Sequence, residues 1–147
     1  MNIGIYAGSF CPFHRGHFDI LVQSEKVFRK VIIGIGNNPE KHYEGREELP
    51  RIISDGREII RYEGLLTDLI KNLQVKNPTN TYHLIRGLRN GHDLEYEQNQ
   101  ISFMRSMYIN LNVVFFICNP IYQHISSTAL RAIRKFSQEE YEKYIVK

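Results

Sequence analysis

Short apolar runs alternate along the chain with longer segments in which apolar residues recur every three or four positions. The runs are five or six residues long and are bounded by turn-forming residues, which is typical of buried strands. Such alternation is typical of a parallel sheet covered by helices. The pattern predicts five β-strands, at residues 2–7, 31–36, 57–62, 82–86 and 112–117.

The segments between the runs have helical periodicity. They predict helices at residues 16–29, 65–74, 92–109, 126–135 and 138–145, and a shorter one near 46–55 that contains Pro50. Ser126 is a candidate N-cap, and Ser137 with Glu140 is a candidate capping box. The predicted fold class is α/β: a Rossmann-like, doubly wound, five-stranded parallel sheet in one domain over residues 1–147. Such sheets bind ligands at the carboxyl ends of their strands, near the point where strand order reverses.

The composition is that of a soluble globular protein, with 42% hydrophobic and 24% charged residues among 147. No apolar run approaches the ~20 residues that cross a bilayer, and the N-terminus shows no charged leader, so we expect a cytoplasmic protein. The formal net charge of +3 suits an anionic small substrate as well as weak contact with nucleic acid, and does not choose between them. Cys11 and Cys118 form no recognisable disulfide framework, so we expect reduced thiols.

The stretch "GSFCPFHRGH", residues 8–17, leaves the first predicted strand and enters the first predicted helix. The start of a helix has unsatisfied N–H groups and a positive dipole, so it favours phosphate. His14 and His17 are three positions apart and would present their rings to the same side, with Gly16 leaving room for a ligand between them. We interpret the pair as stabilising charge at a phosphate. Incidental histidines and a zinc site with Cys11 are the alternatives, and zinc lacks a fourth ligand.

Two further polar clusters are predicted at the same edge of the sheet. Arg86 and Arg89 follow the fourth strand, where two permanent cations would face a bound anion, although a basic surface turn is the alternative. Asp93 and Glu95 on the next helix are expected to form a solvated acidic face.

A serine-rich turn opens the helix after the fifth strand. Ser126, Ser127 and Thr128 offer hydroxyls and N–H groups at another positive helix end, and Arg131 lies one turn further on. The group suits the oxygens of a triphosphate, with a purely structural cap as the alternative.

Three stretches resemble known signatures. "GSFCPFHRGH" resembles the first signature of the nucleotidyltransferase superfamily with the H-x-G-H motif, and "YQHISSTALR", residues 122–131, resembles its serine-rich nucleotide-binding turn. "LIRGLRNGHDLEYE", residues 84–97, resembles the more specific arginine motif of the bacterial phosphopantetheine adenylyltransferase family. The resemblance implies transfer of the adenylyl group of ATP to 4'-phosphopantetheine, giving dephospho-coenzyme A and pyrophosphate. Triphosphate chemistry implies Mg²⁺, for which phosphates and water would supply most ligands, so we expect no metal ligands from the protein. We expect neither nucleic acid nor a membrane as a partner.

The resemblance also implies roles for individual residues. The catalytic residues implied are His17, which would stabilise the transition state, Lys41 and Arg86. The residues implied to bind the acceptor are Ser9, Lys41, Leu66 and Arg86. Those implied to bind ATP are Ser9, Phe10, His14, His17, Gly87, Leu88, Arg89, Glu97, Tyr122, Gln123, His124, Ile125, Ser126, Ser127 and Thr128.

Two positions depart from the family pattern. Cys11 stands where most members have aspartate, and His14 stands where threonine is usual. Histidine at this position is more like nicotinate mononucleotide adenylyltransferases and cytidylyltransferases. Another phosphorylated acceptor, such as nicotinate mononucleotide, therefore stays open, and so does a nucleotide-binding protein without turnover.

The resemblance implies a homo-oligomer, a hexamer of two stacked trimers. The helix predicted at residues 92–109 is rich in apolar and aromatic side chains, among them Phe103, Met104, Met107 and Tyr108. These could form the contact between subunits, or the helix could pack wholly into its own core.

Overall fold

The computed structural model describes residues 1–37 and 49–147, which form one five-stranded parallel sheet with helices against both faces. The strands are β1 (Asn2–Gly8), β2 (Lys30–Gly36), β3 (Glu58–Tyr62), β4 (Thr81–Leu88) and β5 (Asn112–Ile117). The helices are α1 (Arg15–Glu25), α2 (Arg51–Ser54), α3 (Leu66–Lys76), α4 (Gly91–Met107), α5 (Ser127–Arg134) and α6 (Gln138–Glu142), with a 3-10 turn at Pro120–Tyr122. The predicted α/β fold class is confirmed.

The strand order is β3-β2-β1-β4-β5, so β1 lies at the centre of the sheet. The chain moves outwards from β1 to β3 and then returns to place β4 on the other side of β1. The order therefore reverses between β1 and β4, where Tyr6 lies beside Ile85. The loops that leave these two strands diverge, which opens a cleft at their carboxyl ends.

Alternate residues of the strands supply two hydrophobic clusters, one for each face of the sheet. On β1, Tyr6 joins the cluster against α1, whereas Ile3 and Ile5 join the cluster that contains Ile70 of α3 and Ile101 of α4. Successive side chains of a strand point to opposite faces, so a nearly continuous apolar run suits a sheet covered on both sides. The loop after β1 therefore starts from a strand that is packed on both faces.

The last two helices have a small cluster of their own. Ile125, Leu130 and Tyr141 are buried there, with Tyr144 and Ile145 packed against them. This cluster ties the end of the described chain to the segment that leads into α5.

All five predicted strands are present, with bounds within two residues of those predicted. Two helices end three or more residues earlier than predicted. α1 stops at Glu25 rather than at residue 29, because the chain must turn before β2 begins at Lys30. α6 stops at Glu142 rather than at residue 145, because the following residues run beside the start of α1, where Ile145 forms an antiparallel bridge with His14. Helical periodicity carries no signal for such a contact.

Part of the short helix predicted near 46–55 is present as α2, which begins after Pro50 at its N-cap. Leu49, Pro50 and Asp55 lie outside the helix, so it is shorter than predicted. Residues 46–48 and Lys41 lie outside the described residues.

The apolar residues of α4 are divided between core and surface. Met104 is buried and Tyr108, just after the helix, packs against the same core, whereas Phe103 and Met107 are 72% and 41% exposed. Packing into its own core therefore accounts for only part of the apolar surface of this helix. None of the described helices has the length and apolar composition needed to cross a membrane.

Candidate active site

A cleft of about 450 Å³ lies at the carboxyl ends of β1 and β4, where the strand order reverses. Its walls come from the loop after β1, the start of α1, the end of β4, the first turns of α4 and the residues that lead into α5. Twelve of the predicted site residues line it: Ser9, Phe10, His14, His17, Arg86, Gly87, Arg89, Glu97, Tyr122, Ile125, Ser126 and Ser127. The three sequence motifs, far apart along the chain, thus meet in one place.

Other predicted site residues do not line this cleft: Leu66, Leu88, Gln123, His124 and Thr128. Leu66, at the start of α3, packs against the cluster on the opposite face of the sheet from Tyr6. Lys41 is outside the described residues. The roles of these residues stay predictions.

His14 and His17 cap the first helix reciprocally. Nδ1 of His14 accepts the N–H groups of Gly16 (3.1 Å) and His17 (3.3 Å), and Nδ1 of His17 accepts the N–H of His14 (3.2 Å). The two rings stack with their centroids 3.7 Å apart. The imidazoles thus perform the task that a serine and a glutamate perform in an ordinary capping box.

This cap overturns one expectation from the sequence. An α-helix leaves four N–H groups without partners at its start, and these were expected to receive phosphate. In α1 three of them are satisfied by the histidine rings, and the fourth, the N–H of Arg15, donates to the carbonyl of Tyr144 (2.9 Å). An anion in the cleft therefore meets the side chains at this end of α1 rather than bare backbone.

The cap also determines the protonation of both histidines. Because each Nδ1 accepts a backbone N–H, the proton of each neutral ring is on Nε2, which leaves one N–H donor per ring for a ligand. Burial, assisted by the charge of Arg89, lowers the pKa of His14 to about 4. Burial, with His14 and Arg89 nearby, holds the pKa of His17 well below its usual value. Both side chains are therefore neutral hydrogen-bond donors near neutral pH.

The sequence suggested that Gly16 leaves room for a ligand between the two histidines. In the structure the ring of His14 fills that space instead. A Cβ atom at Gly16 would lie 2.9 Å from Cε1 of His14. A larger residue would therefore push the cap apart.

Phe10 adopts a left-handed backbone conformation, with φ of 48°, which is uncommon for an aromatic residue. This turns its ring back onto the site, where it meets the ring of His17 edge-on at a centroid distance of 5.0 Å. Phe13 and Tyr6 approach the same imidazole at 5.3 Å and 6.4 Å. The aromatic surround explains why the neutral form of His17 is favoured.

Arg86 and Glu97 form an ion pair in the lining of the cleft, with Nε of Arg86 3.5 Å from Oε2 of Glu97. Both atoms are buried, and neither has a hydrogen-bond partner among the described residues. The two residues were predicted to contact different substrates, so a substrate at either one would alter the surroundings of the other.

Arg89 is held by Asp93, which the sequence placed on a solvated acidic face. That expectation is wrong for Asp93, because its carboxylate accepts the backbone N–H of Arg89 (2.9 Å) and two N–H groups of the guanidinium (2.9 and 3.2 Å). Glu95, two positions further along, is exposed as expected. Sequence spacing alone could not separate the two carboxylates.

The serine-rich turn has both structural and open polar groups. The Ser126 hydroxyl caps α5 by accepting the N–H of Ala129 (3.1 Å), as predicted, and the Ser127 hydroxyl donates to the carbonyl of Pro12 (3.1 Å). The N–H groups of Ser126, Ser127 and Thr128 have no acceptor in the part of the chain that the structure describes. Among the described residues, the start of α5 therefore leaves N–H groups open beside this cleft, whereas the start of α1 does not.

Arg131 lies outside the cleft and connects α5 to the loop after β1. Its guanidinium donates to the carbonyl of Cys11 (2.7 Å) and to the hydroxyl of Thr128 (3.3 Å). It was predicted beside triphosphate oxygens, but in this structure it joins α5 to the histidine loop.

A second such connection, which sequence reasoning missed, is made by Asp19 on α1. Its carboxylate accepts the N–H of Asn119 (3.0 Å) and the side-chain amide of Gln23 (2.9 Å), and this amide also donates to the carbonyl of Ile117 (3.0 Å). The loop after β5 is thus fixed against α1. An isolated aspartate on a helix carries no signal for this role.

Cys118 carries no reactive thiolate. Cys118 lines the cleft, where burial and the nearby carboxylate of Asp19 raise its pKa to about 11. Cys11 is buried, and no disulfide joins the pair, as expected. The site therefore lacks an activated thiol.

Comparison with known proteins identifies the family. The Cytidylyltransferase-like family model matches residues 5–133, which is most of the chain. The chain belongs to the Cytidylyltransferase-like family. The phosphopantetheine adenylyltransferases of Streptococcus sanguinis (strain SK36) and Cytophaga hutchinsonii are 33% and 38% identical to it, over 94% and 92% of this chain and 85% and 91% of their own lengths.

A solved structure supports the Cytidylyltransferase-like fold independently. Plasmodium falciparum nicotinic acid mononucleotide adenylyltransferase complexed with APC has a TM-score of 0.69 and 17% identity, covering 98% of this chain and 90% of that one. The family match includes all three motifs but ends before α6 and the residues that contact the start of α1.

Replacing His14 with threonine should make folding less sensitive to acid. Threonine retains an N-cap oxygen but removes the buried imidazole. In the wild type the folded pKa of His14 lies below the unfolded value, so the unfolded chain takes up the proton first and stability falls as the pH drops. For a folded pKa of about 4 the loss is roughly 3 kcal/mol between neutral pH and the folded pKa.

Urea unfolding near neutral pH and near the folded pKa measures the effect. Between these two pH values the free energy of unfolding should fall by roughly 3 kcal/mol more in the wild type than in His14→Thr. The control His92→Thr, which changes an exposed histidine at the start of α4, should behave as the wild type. If the difference in the free energy of unfolding between the wild type and His14→Thr is the same at both pH values, His14 is not a buried neutral side chain.

Proposed function

We propose that this chain transfers the adenylyl group of ATP to 4'-phosphopantetheine, giving dephospho-coenzyme A and pyrophosphate. The observation that carries the proposal is that Arg86 and Arg89, from the most specific motif, line the same cleft as His14 and His17. The names of the relatives at 33% and 38% identity support the same reaction.

The proposed reaction depends on positioning the two substrates, and it does not require a general base to deprotonate the acceptor. A phosphate monoester already carries negative oxygens near neutral pH, so one of them can attack the α-phosphorus of ATP directly. A bond forms between that oxygen and the α-phosphorus, and the bond to the oxygen bridging the α- and β-phosphorus breaks, releasing pyrophosphate. The protein must hold the two phosphates in line and stabilise the charge that moves between them.

In this proposal His17 donates its Nε2–H to an oxygen of the transferring phosphate. The side chain is neutral, so it acts as a fixed hydrogen-bond donor and does not lose a proton. Its ring is held by the cap and by Phe10, Phe13 and Tyr6, so little reorganisation accompanies the reaction.

The substrates are assigned to the two sides of His17. Arg86, Ser9 and Lys41 would hold the phosphate of the acceptor, with Leu66 near its arm. Residues implied to hold ATP are Phe10, His14, Gly87, Leu88, Arg89, Glu97 and residues 122–128. The open N–H groups at the start of α5 support a place for phosphate oxygens on the ATP side.

Mg²⁺ would accompany the triphosphate of ATP in this proposal and neutralise part of its charge. The described residues contain no group of three histidine, cysteine or carboxylate side chains that could hold a metal ion. Asp93 and Glu97, the carboxylates that line the cleft, each face an arginine. The ion would thus be ligated by phosphate oxygens and water.

The choice of acceptor tests the proposal most directly. With ATP present, pyrophosphate release should be fast with 4'-phosphopantetheine and very slow with dephosphorylated pantetheine, because the latter lacks the nucleophile. Arg86→Ala should raise KM for phosphopantetheine about tenfold or more, as a charge-assisted phosphate contact is lost. The matched control Arg105→Ala removes an exposed arginine from α4 and should leave KM unchanged.

The result that would contradict the assignment is equal use of pantetheine and phosphopantetheine. Faster reaction with nicotinate mononucleotide would instead support the second candidate acceptor, for which a histidine at position 14 is more typical.

Two substitutions separate the catalytic role of His17 from its role in the cap. His17→Ala should lower kcat roughly 100-fold or more, with a much smaller effect on the dissociation constant of ATP, because the contact strengthens in the transition state. His17→Gln should recover the free energy of unfolding, since glutamine is a good capping-box residue at this position, but should not recover kcat. A near wild-type kcat in either variant would remove the proposed role of His17.

We further propose a homo-oligomer, a hexamer by resemblance, in which Phe103 and Met107 on α4 are covered by another subunit. Light scattering at micromolar concentration should then give six times 17.3 kDa. Phe103→Glu should lower this mass by placing a charge in the contact. A monomeric wild type would contradict the proposal.

A further inference from the structure

Arg89 and Asp93 form an arrangement that differs from an ordinary surface ion pair. Oδ2 of Asp93 accepts both the backbone N–H and the Nε–H of Arg89 (2.9 Å each), while Oδ1 accepts one N–H of Nη2 (3.2 Å). The carboxylate therefore holds the residue at its backbone and along one edge of its guanidinium. These bonds from Arg89 are also the main cause of the lowered pKa of Asp93.

Asp93 is itself fixed in place. Its N–H donates to Oδ1 of Asn90 (2.9 Å), which caps α4, so the carboxylate lies in the first turn of that helix. A negative charge there is stabilised by the helix dipole. The arginine is thus connected through Asp93 to a 17-residue helix rather than to a flexible loop.

The remaining donors of Arg89 are the ones that suit phosphate. A guanidinium has five N–H groups, and Asp93 uses those at Nε and one at Nη2. Both N–H groups of Nη1 and the second at Nη2 are left, and this edge can form two parallel hydrogen bonds to a phosphate. Arg89 and Asp93 both line the cleft.

We propose that Asp93 is a positioning residue for nucleotide binding, which orients Arg89 before the triphosphate of ATP arrives. This rests on the proposed function, in which Arg89 contacts ATP. An unheld arginine would lose its rotamer freedom when ATP binds, whereas here that freedom is already lost in the folded protein. Asp93 touches no substrate in this proposal and acts through Arg89 alone.

The experiment is a double-substitution cycle that is measured by calorimetric binding of ATP and by steady-state kinetics. Asp93→Ala should weaken ATP binding about fivefold to tenfold, the cost of ordering one long side chain on binding. It should change KM for the acceptor less than twofold. In an Arg89→Ala background the same substitution should have no further effect on ATP binding, because the residue through which it acts is absent.

Two further variants serve as controls for the proposed role of Asp93. Glu95→Gln removes an exposed carboxylate from the same helix turn and should bind ATP as the wild type does. Asp93→Asn keeps the shape and one acceptor oxygen, and should fall between the wild type and Asp93→Ala even if the alanine variant proves too unstable to measure.

Each outcome decides the proposal. The proposal is overturned if Asp93→Ala raises the dissociation constant of ATP by the same factor with and without Arg89. It is also overturned if Asp93→Ala weakens ATP binding no more than Glu95→Gln does. If the wild type binds ATP but transfers adenylyl to no acceptor, the proposed function fails while the binding cycle still tests Asp93. If the wild type does not bind ATP, both fail.

Discussion

The reciprocal hydrogen bonds between His14 and His17 are the constraint on which the rest of the site depends. They close the start of α1, stack the two rings and place the proton of each ring on Nε2. One arrangement thus stabilises the helix and prepares the donors that a phosphate would meet. Because Nδ1 of each ring forms the cap and Nε2 of the same ring is the donor, the cap fixes the position of the donor.

Around this pair, carboxylates set the positions of the polar groups. Asp19 fixes the loop after β5, Asp93 fixes Arg89, and Glu97 faces Arg86. Cations that line the same cleft repel one another, and paired carboxylates reduce this repulsion. The formal net charge of +3 for the whole chain therefore says little about the local charges of the cleft.

The sequence predicted the strands and the Ser126 cap, which follow from local apolar patterns and cap chemistry. It also predicted that three distant motifs meet at one edge, because a parallel sheet brings the carboxyl ends of its strands together. Contacts between distant residues could not be predicted, such as those of Asp19 with Asn119 and of Arg131 with Cys11, because no spacing rule relates such positions. The role of Asp93 was missed for another reason, since pattern alone cannot decide which of several carboxylates on a helix turns towards an arginine.

The contact between Arg15 and Tyr144 affects how this protein folds during its translation. Tyr144, whose carbonyl accepts the Arg15 N–H, follows β1 and α1 by most of the described fold, so these two elements are translated well before their partner. Until then that N–H group is exposed to water, and the first helix begins with an incomplete end. A nascent chain can thus form the central strand and its helix early, whereas the mature geometry around His14 awaits the translation of Tyr144.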